Sequence, residues 1–246
     1  KKSSRPAPPP SRLDTSPLGW LGLVLLSGFG TLALQVLYTR MFALVLHNST
    51  YTFGVVLAVF LGALALGATL VHRLGQRWGI ARVAAWGCMG GSVSVVLSLW
   101  LFGATTKLAY FSFGNSFASH MAGVFGLVGL TVGPPIVLLG MVLPAAWQGA
   151  QRGDLSSGRV VGRLSAANTL AATLGSLAAA FVLMPMLGLW QSFVWMAGLF
   201  FVGGAACVVR RKAWIKLLCT GMLVLGLGGG AWLWMRGLSM QVPQSE

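Results

Sequence analysis

The sequence predicts an all-α protein, a polytopic membrane helix bundle of seven transmembrane helices with the N-terminus in the cytoplasm and the C-terminus outside. Three observations carry this expectation. Of the 246 residues, 56% are hydrophobic and only 8% charged, and the mean hydropathy is +0.81, a composition suited to lipid as the main solvent. Seven apolar runs reach the length of about 20 residues that crosses a hydrocarbon core of about 30 Å. Basic residues fall between those runs in a pattern that alternates from one side to the other.

Taken in order, residues 1–16 are polar and proline-rich, without the apolar core of a signal peptide, and read as a flexible cytoplasmic tail. The seven-helix domain occupies residues 17–236. Its spans run from about Pro17 to Thr39, Tyr51 to Val71, Val83 to Ala104, Met121 to Trp147, Leu164 to Leu187, Trp190 to Val209 and Ala213 to Trp234. Residues 237–246 form a short outer tail. Basic loops resist translocation, and with the N-terminus inside, all of the 17 Lys and Arg fall on the cytoplasmic side except Arg40, Lys107 and Arg236. A count of six or eight helices would break this alternation. The aromatic belts agree: Trp78, Trp86, Trp147 and Trp214 sit at the inner boundary, and Trp100, Trp190 and Trp234 at the outer one.

Composition also excludes. The net charge of +14 is dispersed among apolar runs instead of forming a basic patch with interleaved aromatics, so nucleic acid is not an expected partner. Asp14, Asp154 and Glu246 are the only acids, and they lie in tails or a loop. No pair of buried carboxylates is therefore available for acid/base work or for a hard metal ion. Cys88, Cys207 and Cys219 lie inside apolar runs without metal-ligand spacing and read as core residues. No cofactor and no metal are expected.

Polar residues inside the spans supply the candidate site. Ser27, Thr31, Gln35 and Thr39 recur every four residues on the first helix, with Tyr38 beside them, and so draw one polar stripe that should avoid lipid. Two roles suit the stripe: lining a cavity, or hydrogen-bonding to other helices. Asn168 is an intramembrane amide on the fifth helix, near its inner end, whereas Gln35 lies near the outer end of its own. Arg40 suits either an anionic ligand or an interfacial anchor. Gly133, Pro134 and Pro135 fall near the middle of the fourth helix, where two prolines remove two donors and crowd the preceding carbonyls, so a kink or break is expected there. Broken helices at that depth are used by transporters for binding. His47 and His120 are outer-face candidates for a ligand role, without a third ligand or an attachment motif. The aromatic loop from Thr105 to His120 reads as lying in the outer interface. Small residues Ala167, Ala171, Ala172, Gly175, Ala178 and Ala179 smooth one flank of the fifth helix, and Gly62 and Gly67 do the same on the second, which makes both expected central elements.

Residues 27–69, with Gln35-Val36-Leu37-Tyr38-Thr39-Arg40, Asn48-Ser49-Thr50-Tyr51 and the Gly62 to Gly67 run, resemble the membrane region of bacterial spermidine synthase-like membrane proteins. A second block, Gly162-Arg163-Leu164 through Asn168-Thr169-Leu170 to Pro185-Met186-Leu187-Gly188, is similar to a later helix hairpin of that group. The resemblance implies residence in the bacterial cytoplasmic (inner) membrane. In that family the membrane region is often joined to a soluble aminopropyltransferase-like domain. These 246 residues contain no strand followed by a glycine-rich turn and acidic residues, so no aminopropyltransferase site is expected here. Where the family commonly has Glu, this chain has Gln35; Arg40 matches the pattern. The expected function is that of a non-catalytic membrane module that anchors or organises partners. Those partners are membrane lipids and other membrane or periplasmic subunits. The alternative is a transporter or binder of a lipid-like or small amphiphilic ligand with its site near the fourth helix.

Overall fold

In the computed structural model, residues 17–46, 50–109, 116–151 and 157–208 are described. They form helices α1 (Pro17–Ala43), α2 (Thr50–Trp78), α3 (Ile80–Thr106), α4 (Phe117–Gly140), α5 (Val142–Ala150), α6 (Ser157–Ala178), a π-helical turn (Ala179–Leu183), α7 (Met184–Leu187) and α8 (Leu189–Val208). No strand occurs among the described residues. Six helical segments among them are long and apolar enough to cross a membrane: Leu18–Ala43, Thr50–Trp78, Ile80–Thr106, Phe117–Ala150, Val161–Leu187 and Leu189–Cys207. These coincide with the first six expected spans. The seventh, from Ala213 to Trp234, lies outside the described residues, as do both tails.

Prolines decide where the long spans deviate from α-helix. Of the kink or break expected at Gly133, Pro134 and Pro135, the break does not occur: α4 runs through both prolines as one helix, and the interruption comes at Met141. Pro144 accounts for the position. It has no N–H for the carbonyl of Gly140, four residues back, and its ring crowds that carbonyl, so the helical ladder lapses just there. Met141 instead donates backward to Leu138 O at 3.3 Å, and Ala145 restarts the ladder on Met141 O at 3.2 Å. Pro185 has a comparable effect in the fifth span. Its ring excludes the usual bond to Phe181, and the preceding turn widens so that the Met184 N–H reaches Ala179 O, five residues back.

Glycine makes the shortest connection. A single residue, Gly79, joins α2 to α3 with φ of 86°, a backbone region that side chains disfavour, while its own N–H donates to Gly75 O at 3.1 Å. Gly188 plays the corresponding part between α7 and α8 at φ 77°.

The core is built around α1, which is packed against α5, α6 and α8 and reaches α3 through Tyr38 and Phe42. Its buried residues Leu23, Val24, Ser27, Thr31, Ala33, Leu34, Leu37, Tyr38, Met41 and Phe42 cover about 180° of the helix at 3.6 residues per turn. The fifth span is not central. On α6 the buried positions Leu164, Ala171 and Gly175 subtend only about 40° of the helix, and Leu170, Leu174 and Leu177 point outward. Smooth flanks allow a close approach to one neighbour, but they do not surround a helix with neighbours. Gly175 lies so close to the backbone of Phe29 that a β-carbon there would strike its carbonyl.

Candidate functional site

The polar stripe of α1 divides along its length. Ser27 and Thr31 are buried between helices, Gln35 and Thr39 are half-buried, and Arg40 is exposed in the last turn. Thr39 spends its hydroxyl on its own helix, donating to Gln35 O at 2.9 Å. Tyr38 is the residue that joins helices. It is fully buried, its hydroxyl is 2.8 Å from Ser98 Oγ on α3, and its ring meets Phe193 of α8 edge-on with centroids 4.9 Å apart. Because the Ser98 hydroxyl proton is directed to Val95 O at 2.7 Å, the Tyr38 O–H is the donor in the pair. A second polar tie runs from α3 to α8: Ser92 Oγ donates to Ala197 O at 2.6 Å.

Asn168 meets α1 not at Gln35 but at Gly28. A β-carbon at Gly28 would contact the Asn168 carbonyl and lie 2.8 Å from Asn168 Oδ1. Only glycine therefore lets the amide approach the α1 backbone. Thr31 is one turn further along α1. Three buried side-chain atoms have no hydrogen-bond partner among the described residues: Thr31 Oγ1, Asn168 Oδ1 and Trp147 Nε1. They belong to α1, α6 and α5, and α1 packs on both of the others. At the Trp147 end, Gly149 of α5 receives the ring of Trp20 from α1.

The other candidates are separate from this cluster. Gly133 and Pro134 open to the outside of α4, whereas Pro135 is buried with Ile136 and Leu139. His120 sits half-buried in the first turn of α4, where Ser116 and Ser119 form a reciprocal cap. His47 lies outside the described residues. Among the described residues no three His, Cys, Asp or Glu side chains gather where they could hold a metal ion.

Ser92, Ser98 and Phe193 were not singled out from sequence, and Trp147 was read only as part of the inner aromatic belt. The two serines carried a signal, being hydroxyls inside an apolar run on α3, but serine in a span most often bonds to its own helix. Nothing local distinguishes one that reaches a neighbour. No protein family, curated protein or solved structure matches the chain on comparison.

Proposed function

We propose that this chain is a non-catalytic multi-pass membrane module that assembles with other membrane proteins. The observation that carries the reading is the attachment of the fifth span. It holds to α1 by the narrow flank of Leu164, Ala171 and Gly175, and presents Leu170, Leu174, Leu177, Phe181 and Met186 outward. Between membrane helices, association depends on close packing and hydrogen bonds, not on hydrophobicity. A span held on one flank keeps the rest of its surface available for a partner helix. The interhelical polar contacts Tyr38 to Ser98 and Ser92 to Ala197 serve packing and leave no nucleophile and base side by side. The resemblance to the membrane region of spermidine synthase-like proteins points the same way, and residence in a bacterial inner membrane is part of the same proposal.

The test is the mass and composition of the complex in lipid nanodiscs. A stoichiometric partner is expected with the native chain and should be lost from a Leu170→Gln, Leu174→Gln variant whose thermal transition is unchanged. A chain that runs alone, or a partner retained by the variant, overturns the proposal.

A second reading, a binder of a small amphiphilic ligand, is favoured by the unpartnered Thr31, Asn168 and Trp147 atoms. An unpaired buried polar atom costs about 1–3 kcal/mol. If those atoms serve no ligand, Thr31→Val will therefore stabilise the protein; destabilisation would favour the ligand.

The orientation, with the N-terminus inside, belongs to the same proposal and follows from the distribution of Lys and Arg. A cysteine introduced at Asn115 is expected to react with an impermeant thiol reagent in intact cells, and one at Gly153 is not. The reverse labelling would invert the topology.

A further inference from the structure

At 29 residues α2 is about 43 Å long, against a hydrocarbon core of about 30 Å, so its end from His72 to Trp78 extends into the headgroup zone. The single-residue turn at Gly79 then fixes the start of α3 directly beside it. This corner displays Arg73 and Arg77 from α2 and Arg82 from α3, all exposed. Between the helices, the rings of Trp78 and Trp86 lie with centroids 6.2 Å apart and planes inclined at 36°. Both are well exposed, at 54% and 68%, although Ile80 and Val83, on the chain between them, are buried. Arg77 adjoins Trp78 in the chain, and Arg82 lies one turn before Trp86.

Charge complementarity limits what can cover this corner. None of the described residues is acidic, and the whole chain carries three Asp and Glu against 17 Lys and Arg. Guanidinium groups form paired hydrogen bonds to phosphate oxygens. Tryptophan rings at headgroup depth offer an N–H to polar groups and a flat apolar face to the upper part of an acyl chain. Three arginines beside an exposed indole pair therefore combine the two halves of an anionic lipid: a phosphate to be neutralised and a chain to be packed.

We propose that Arg73, Arg77, Trp78, Arg82 and Trp86 form a binding site for the phosphate headgroup of an anionic phospholipid. The site does not depend on the chain's being an assembly module.

The experiment places the purified protein in phosphatidylcholine nanodiscs containing a minor fraction of lipid brominated near the headgroup end of its acyl chain. Tryptophan emission is compared for brominated phosphatidylglycerol and brominated phosphatidylcholine. Phosphatidylglycerol is expected to quench several-fold more at equal mole fraction, and Trp78→Phe with Trp86→Phe should remove that excess. Arg77→Gln with Arg82→Gln should abolish the preference while leaving the thermal transition in place. Arg163→Gln, at an exposed arginine on α6, should preserve it. Retention of phosphatidylglycerol by the native chain and its loss from the double variant, read by native mass spectrometry, gives the same answer without tryptophan. Equal quenching by the two lipids, or a preference that survives the double arginine variant, overturns the proposal. So does reversal by millimolar inorganic phosphate, which would make this a site for free phosphate and not for lipid.

Discussion

Gly67→Ala is expected to lower the thermal unfolding transition of the purified protein sharply, whereas Gly62→Ala, on the same helix, leaves it unchanged or raises it. Gly67 faces α4 at backbone contact: a β-carbon there would strike the carbonyl of Val137 and come within 3.0 Å of the Cα and carbonyl carbon of Gly140. The contact is reciprocal, since a β-carbon on Gly140 would lie 2.9 Å from Leu64 O. A crowded side chain can rotate aside, but a helix backbone cannot. The methyl group must push α2 and α4 apart, at a cost of about 1–3 kcal/mol or more. That is a large share of a net stability of about 5–15 kcal/mol. Gly62 has nothing within 4 Å of the same added atom. There the substitution gains the helix preference of alanine over glycine, about 0.5–1 kcal/mol. Thermal melts of both variants in one mild detergent make the comparison. Equal shifts would mean that α2 and α4 are not in backbone contact.

Tyr38→Ala should be the most damaging single change on α1. The side chain is fully buried, closes the junction of α1, α3 and α8, and packs edge-on against Phe193. Truncating a buried aromatic costs about 3–5 kcal/mol, because the cavity adds to the lost contacts. Tyr38→Phe keeps the ring and removes only the donor to Ser98, whose hydroxyl remains engaged with Val95. Its cost should fall within the measured range for hydrogen bonds between membrane helices, about 0.6 kcal/mol on average and up to about 1.7 kcal/mol. Ser98→Ala should cost about 1–3 kcal/mol, more than Tyr38→Phe, because it leaves a buried hydroxyl without an acceptor. Arg40→Ala, two residues along the same helix but exposed, should change stability by no more than about 0.5 kcal/mol. Chemical or thermal unfolding of the four variants tests the ordering. A Tyr38→Ala protein as stable as Arg40→Ala would show that Tyr38 does not close this junction.

Much of this was legible beforehand, for a physical reason that differs between features. The existence and approximate limits of six spans follow from hydropathy summed over about 20 residues, a local quantity set against the thickness of a bilayer. The burial of Ser27, Thr31 and Tyr38 agrees with the polar stripe read from the first helix, whose residues can bond to other helices. Pro144 and Pro185 stood in the sequence as well, but their effect depended on which neighbouring carbonyls could be satisfied otherwise. Pro134 and Pro135 drew attention by being a pair, yet the helix accommodates them.

The sequence by itself determined the all-α class, six of the helices and the inward turn of Ser27, Thr31 and Tyr38, since each of these is decided by a stretch of chain and its solvent. Tertiary structure alone decided that α1 is the hub and α6 an outlying span, that Gly67 touches backbone while Gly62 faces open space, and that Tyr38 finds Ser98 and Asn168 finds Gly28. Two glycines on one helix look alike in sequence because the difference between them is the distance to another helix. That distance is fixed by how side chains far apart in the chain pack together, and no local pattern encodes it.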